Sequence, residues 1–297
     1  MFEDLCLTAA PKCVALGFFD GVHIGHQRLI RALENDLGLQ RTVFTFANHP
    51  ISVLQPDHMP GYLTNPQEKA SLLRSYGAQM VWMPAFDRQM AALAPEDFLE
   101  FLFDRLNAKR IVVGANYRFG AGAAGNAEMI QKAASARGLS VQIVPDVLYQ
   151  GALVSSTRIR AALASGAIDQ AAAMLGRPYA LCGPVVHGRK IGSQMQLPTA
   201  NLGFDFARAL PMDGVYAGEA LLDRQRWRCV INIGASPTVA TKRRTVEAHL
   251  IGFEGDLYGQ QICLRFDRFL RPEKQLGSLD ALKAQIRADI DLACMRP

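Results

Sequence analysis

Residues 12–144 alternate between short apolar runs and amphipathic stretches of helical spacing, and this alternation constrains the fold more than any other feature. "KCVALG" (12–17), "RTVFTF" (41–46), "AQMVWMP" (78–84), "RIVVG" (110–114) and "LSVQIVP" (139–145) read as strands. Helical stretches fall between them: "HQRLIRALENDLG" (26–38), "NPQEKASLLRSYG" (65–77), "PEDFLEFLFDRLN" (95–107) and "NAEMIQKAASARG" (126–138). Strands separated by helices imply right-handed crossovers and a parallel sheet covered on both faces. Such sheets bind ligands beyond the carboxyl ends of their strands.

One segment sits at such an end. "GFFDGVHIGHQ" (17–27) leaves the first strand and enters the first helix. A helix start offers unsatisfied backbone N–H groups and the positive end of a dipole, both suited to phosphate. Glycines allow close backbone approach, and His23 and His26, three apart, can face the same way. A zinc site needs further ligands. No nearby Cys/His cluster supplies them, and the six cysteines are dispersed without a CxxC pair. They read as core or surface thiols rather than a disulfide framework. A purely structural turn is the other reading of the glycines.

The pattern changes in the second half. "STRIRAALASGAIDQAAAMLGRP" (156–178) reads as two helices broken near Gly166, and a boundary is placed after it, giving domains 1–178 and 179–297. From there, "YALCGPVVHG", "GVYAGEALL", "RWRCVINIG", "RTVEAHLIGF" and "QICLRFDRFL" follow one another without intervening helices. That order predicts an antiparallel barrel, closed off by one C-terminal helix in "SLDALKAQIRADID". Within it, "GPVVHGRKIGSQMQLPTANL" (183–202) supplies Gly188 and Gly192 for a tight loop around phosphate. Thr199 and Asn201 there offer oxygens for a hard cation such as Mg²⁺.

Bulk properties exclude several classes. A chain of 297 residues with 49% hydrophobic and 20% charged content is globular rather than disordered. No apolar run reaches bilayer length, and "MFEDLCLTAA" lacks the basic start of a secretory signal, so a cytoplasmic location without a membrane partner is expected. The net charge of +5 is a mild basic bias. A basic nucleic-acid-binding protein reusing a nucleotide fold is the rival of a different class. Its positive charges are scattered, however, and "TKRRTVE" (241–247) reads as solvated surface.

"GFFDGVHIGHQ" resembles the HxGH signature of nucleotidylyltransferases, in the form found in bacterial bifunctional riboflavin kinase/FMN adenylyltransferases (FAD synthetases). "TFANHP", "YLT" followed by "EK", "VGANYRFG" and "VSSTRIR" fit the same family in order. The resemblance implies an α/β nucleotidylyltransferase that transfers AMP from ATP to FMN. It places ATP on Gly17, Phe18, Phe19, Asp20, His23, Gly25, His26, Ser155, Ser156, Thr157, Arg158 and Arg160. It places the flavin on Phe46, His49, Pro50 and Asn116. "VINIGASPT", "VEAHLIGFEGDLYG" and "LRPEKQLGSLDALKAQI" resemble the riboflavin kinase module. There the resemblance implies an ATP site on Gly183, Gly188, Lys190, Gly192, Thr199 and Asn201, with Mg²⁺ on Thr199 and Asn201. Glu247 stands where the family has its general base.

The chain also departs from the family. "GSQMQLPTAN" replaces a usual "GRxLGFPTAN": Ser193 stands for an arginine, and Gln196–Leu197 for Gly–Phe. Val239 replaces a common phenylalanine, and "NYRFG" replaces "DFRFG". An adenylyltransferase with an impaired kinase module is therefore the alternative within the same fold. The partners implied are small molecules only: riboflavin, FMN, FAD and ATP.

Overall fold

The structure, a computed structural model, describes residues 10–34, 37–187, 199–204, 207–235, 244–274 and 279–295. The chain divides into two compact units, Met1–Ser156 and Thr157–Pro297. The division falls at the start of the first helix of "STRIRAALASG", so that helix goes with the second unit.

In the first unit the main strands are β1 (Lys12–Leu16), β2 (Gln40–Phe44), β3 (Met80–Trp82) and β4 (Ala108–Gly114). Two small antiparallel ladders follow β4: β5 (Arg118–Phe119) with β6 (Gly125–Asn126), and β8 (Leu148–Tyr149) with β9 (Ala152–Leu153). Between them runs β7 (Ser140–Val144). The sheet is five-stranded, ordered β3-β2-β1-β4-β7, and parallel throughout. β1 is central, and the chain leaves it first toward β2 on one side and later returns to β4 on the other. The carboxyl end of β1 is thus the topological switch point, where α/β sheets open a crevice.

The period-2 alternation of the strands explains both covered faces. Val14, Leu16, Phe44, Ile111 and Val113 share one core. It includes Phe98 and Leu99 of α5 (Pro95–Glu100), Phe101, Leu102 and Phe103 of its π-helical continuation Phe101–Arg105, and Ile130 of α6 (Ala127–Ser135). Cys13, Ala15, Val43 and Val112 form the other core. It is shared with Leu29 and Ile30 of α1 (Ile24–Arg31) and Leu73 of α3 (Pro66–Ser75). α3 starts as its sequence indicates: Asn65 and Glu68 form a reciprocal capping box, with bonds of 2.7 and 2.8 Å, and Pro66 opens the helix.

Two elements differ from the sequence reading. α1 ends at Arg31 rather than near Gly38, because its last turn tightens: Leu33 N–H donates to Ile30 O and Glu34 N–H to Arg31 O. The short helices α2 (Ile51–Leu54) and α4 (Arg88–Ala91) carry no periodic signal long enough to read.

The second unit begins with α7 (Ser156–Ala164) and α8 (Ile168–Leu175), and α8 stops at left-handed Gly176. The strands β10 (Tyr179–Val186), β11 (Ala200–Leu202), β12 (Gly214–Leu222), β13 (Gln225–Ala235), β14 (Arg244–Leu250) and β15 (Gln261–Arg271) close into an antiparallel barrel, ordered β10-β11-β14-β13-β12-β15. The C-terminal helix α9 (Leu279–Cys294) packs Ala293 among Val215, Ala217 and Val230. Three arginines anchor it, Arg268 by donating to the carbonyls of Leu292 and Met295. Arg271 pairs bidentately with the buried Asp289 at 2.9 and 2.7 Å, and Arg228 donates to the carbonyl of Ala293 near the helix end.

The cysteine reading needs one correction. Cys182 and Cys263 are direct cross-strand neighbours on β10 and β15, with Cα atoms 4.0 Å apart, and are joined by a disulfide. Eighty-one residues separate them in sequence. Only the barrel register brings them together, and spacing along the chain carries no trace of it. Among the described residues no helix is long and apolar enough to cross a membrane.

Candidate active sites

The 17–27 segment is a strained turn. Phe19, Gly21 and Val22 have φ of 58°, 78° and 40°. Only glycine takes such values at little cost, and a β-branched residue there is a true outlier. Strain of this kind costs about 1–3 kcal/mol per residue and persists only where the surroundings over-determine it. Phe19 and Val22 are fully buried in the second core of the sheet.

Polar ties from distant residues hold the rest. The Asp20 carboxylate, 2% exposed, accepts from Leu63 N–H (3.1 Å) and from Thr64 N–H (3.1 Å). Gly21 N–H donates to Thr64 Oγ1 at 3.1 Å. Ser156 Oγ donates to Asp20 O, and Thr45 Oγ1 to Phe18 O, each at 2.8 Å. Lys69, 2% exposed, donates to Phe18 O at 3.1 Å and to Phe46 O at 2.6 Å, and its ammonium lies 4.1 Å from the centre of the Phe18 ring.

The turn delivers the two histidines. His23 is the N-cap of α1, its Nδ1 accepting the His26 N–H at 3.3 Å. The rings stack with centroids 3.5 Å apart. A Cβ on Gly25 would lie 3.2 Å from the His23 ring, so this position keeps the pair close. His23, His26, Gly17, Phe18, Gly25, Asn116, Ser155 and Ser156 all line one polar cleft of about 390 Å³. Beside it lies an apolar cleft of about 330 Å³ walled by Phe46, Pro50, Phe86, Leu93 and Phe98. Gly17, Phe18, Tyr117 and Arg118 border both.

Not every expected residue reaches these clefts. Phe19 is core, and the Asp20 carboxylate is turned to the 63–64 backbone. His49 lines neither cleft: it packs edge-on against Phe18 at 4.4 Å, and its Nδ1 accepts from Ile51 N–H at 3.2 Å. Thr157, Arg158 and Arg160 lie in the first two turns of α7, beyond the division between the units.

Lys69 is the residue that sequence reading missed. An "EK" pair near the start of an amphipathic helix looks solvated; burial appears only once α3 packs beneath the turn. Burial lowers its pKa from the ordinary 10.5 to about 8, with the Asp20 charge opposing that shift. The charged form is thus penalised in the folded state. The penalty is complete below about pH 8 and disappears as pH rises to 10.5. Lys69→Met should remove a donor shared by two carbonyls, worth about 1–3 kcal/mol. Denaturant titrations at several pH values provide the check. From pH 8 to 10.5 the wild type should gain stability relative to Lys69→Met, and a pH-independent difference would refute the buried-cation account.

In the barrel, Thr199 borders a small cleft of about 70 Å³ with Asp256 and Tyr258. Glu247 sits on β14 between the inward, buried Val246 and Ala248. Its direct cross-strand neighbours are Asn201 on β11 and Asn232 on β13. Side chains in register share a face, so Asn201, Glu247 and Asn232 form one row across three strands. Asn232 was not singled out from sequence, because between Ile231 and Ile233 it reads as ordinary alternation. Gly183 lies where a Cβ would collide with the carbonyl of Gly203, a steric reason for glycine at that barrel corner. Gly188, Lys190, Gly192 and the departures at Ser193, Gln196, Leu197 and Val239 lie outside the described residues. Among the described residues no group of three or more His, Cys, Asp or Glu is placed to hold a metal.

A histidine-bearing helix start lies at the switch point of a parallel sheet, and a closed barrel with an in-register Asn–Glu–Asn row follows it in the chain. The FAD synthetase family model matches residues 7–158 and the riboflavin kinase model residues 175–295. Bifunctional riboflavin kinase/FMN adenylyltransferases from Escherichia coli K12, Pseudomonas fluorescens and Bacillus subtilis are 38%, 36% and 31% identical, covering 94–95% of this chain and 90–93% of theirs. A crystal structure of a macrolide-efflux protein from Streptococcus pneumoniae shares the fold, with TM-score 0.90 and 31% identity over 99% of this chain and 97% of that one. The chain belongs to the bifunctional riboflavin kinase/FMN adenylyltransferase family.

Proposed function

We propose that the two adjoining clefts of the first unit are the FMN adenylyltransferase site and that the Asn201–Glu247 row is the core of the riboflavin kinase site. The functional division follows the chain at 1–178 and 179–297. The observation that carries the reading is the seam at Gly17 and Phe18: a polar, histidine-lined cleft and an apolar, aromatic-lined one meet there. ATP phosphates belong in the first and a flavin ring in the second.

In adenylylation, an FMN phosphate oxygen attacks the α-phosphorus of ATP. A new P–O bond forms, the α–β bridge breaks, and pyrophosphate leaves. Such transfers need alignment and charge stabilisation more than covalent help from the protein. His23, His26 and the N–H groups opening α1 donate toward the phosphates. Ser155 and Ser156 add hydroxyls to the same cleft. Phe46 and Pro50 hold the isoalloxazine ring, with His49 supporting Phe18.

In the kinase reaction, Glu247 takes the proton of the ribityl 5′-hydroxyl as that oxygen attacks the γ-phosphorus of ATP. Thr199 and Asn201 offer a hydroxyl and an amide oxygen, the donor type that suits Mg²⁺, which binds few protein oxygens alongside nucleotide phosphates. When bound, Mg²⁺ neutralises phosphate charge. By resemblance, Gly188, Lys190 and Gly192 belong to the kinase ATP site. The substrates are small molecules, with neither nucleic acid nor membrane required. The proposed location is cytoplasmic.

Incubating the purified chain with riboflavin, ATP and Mg²⁺, then separating flavins by chromatography, tests both halves. FMN followed by FAD is expected. FAD from supplied FMN but no FMN from riboflavin would establish the impaired-kinase alternative. Chelating Mg²⁺ should stop both reactions, and returning it should restore them; full turnover in excess chelator would remove Mg²⁺ from the scheme.

A further inference from the structure

We infer that Arg118 is the residue that recognises the 5′-phosphate of FMN and so makes the adenylyltransferase site select FMN over flavins lacking that phosphate. This assignment rests on the reading of the two clefts as the FMN adenylyltransferase site.

Arg118 and Tyr117 leave β4 through a short loop and enter the β5–β6 ladder. Of the four residues bordering both clefts, Arg118 is the only charged one. Tyr117 stays neutral, burial pushing its hydroxyl up. Among the described residues lining the apolar cleft Arg118 is the sole charged group, and the other walls are carbon-rich apart from the Tyr117 hydroxyl. Among the described residues its guanidinium makes no ion pair and no hydrogen bond, while its backbone is fixed by the ladder to Asn126. A cation with no protein partner, at the junction of an aromatic slot and a phosphate cleft, matches a substrate with a ring at one end and a phosphate at the other.

The chemistry favours this arrangement. A guanidinium can bind two oxygens of a phosphate monoester as a fork. That leaves the third oxygen to attack ATP across the seam, and the Arg118 charge offsets repulsion between the two phosphates as they approach. Flavins without the phosphate would leave the guanidinium unmatched, and sites built around such a group discriminate strongly against analogues lacking it.

The test uses the full chain and steady-state FAD formation from FMN and ATP with Mg²⁺. Lumiflavin serves as a competing probe: it keeps the ring, lacks the phosphate and has no ribityl hydroxyl for the kinase to use. Arg118→Gln should raise KM for FMN by about 10- to 100-fold, as loss of a charged hydrogen bond implies. The inhibition constant of lumiflavin, KM for ATP and the riboflavin kinase rate should stay at wild-type values. Arg118→Lys, keeping charge without the fork, should fall between wild type and Arg118→Gln, and it decides the matter should the glutamine variant misfold. An unchanged KM for FMN overturns the assignment. So does a parallel loss of lumiflavin binding, which would make Arg118 a wall of the slot, or a rise confined to KM for ATP, which would make it an ATP contact. A wild-type chain unable to form FAD from FMN would instead overturn the cleft reading itself, and the assignment with it.

Discussion

His26→Ala should lower FAD formation by at least about 100-fold, the scale typical of removing one preorganised donor from a charged transition state. Riboflavin phosphorylation by the same preparation should continue at its normal rate. Two structural facts sharpen this expectation. The ring of His26 stacks on His23 and lines the polar cleft, yet its cap contact uses only its backbone N–H, so truncating the side chain spares the His23–His26 cap of α1. His23 is different: its Nδ1 is the cap acceptor. His23→Ala would lose both imidazole and cap, the latter worth about 0.5–2 kcal/mol, whereas His23→Asn retains a capping oxygen. The comparison separates catalysis from folding. Equal loss of FMN and FAD synthesis in folded His26→Ala would rule out separate sites for the two reactions.

Glu247→Gln should reduce FMN formation by about 10²- to 10⁴-fold, the usual worth of a positioned general base. FAD synthesis from supplied FMN should survive, and riboflavin binding should change little, because the amide keeps the size of the carboxylate. The register makes the experiment specific. Asn201 and Asn232 flank Glu247 on neighbouring strands, so the substitution leaves the row polar and the inward Val246 and Ala248 untouched. Unchanged turnover in Glu247→Gln, with chemistry shown to limit the rate, would make Glu247 an ordinary outward strand residue.

Local signals carried most of the architecture. The five parallel strands and the helices covering them follow from alternation of period 2 and 3.6, and α3 from its capping box. The histidine turn was legible because strand, glycines and helix are contiguous. What escaped depends on contacts distant in sequence. Lys69 meets Phe18 and Phe46 across 51 and 23 residues, so no window along the chain shows its burial. Asn232 acquires meaning only when β13 and β14 come into register. Strand β11 did not show in the sequence: its three residues are too few for alternation to show and owe their conformation to β10 and β14. Asp20 was expected at ATP because the motif contains it; its carboxylate instead serves the backbone of a loop more than forty residues away.

The brevity of β11 has a mechanical consequence. A closed barrel has no free edge, but this ring is not equally strong all the way round. Among the described residues β12 and β13 are zipped over nine residue pairs, whereas β11 meets β10 at Val185↔Leu202 and Val186↔Asn201, and β14 at Ala200↔Ala248 and Asn201↔Glu247. Local opening is cheapest where the fewest paired residues must separate. The seam of the barrel therefore runs through Asn201 and beside Thr199. A nucleotide that grips those two residues only while the ring is shut adds its binding free energy to closure. On the proposed reading of Thr199 and Asn201 as part of the kinase ATP site, the barrel would be a clasp fastened by its own substrate.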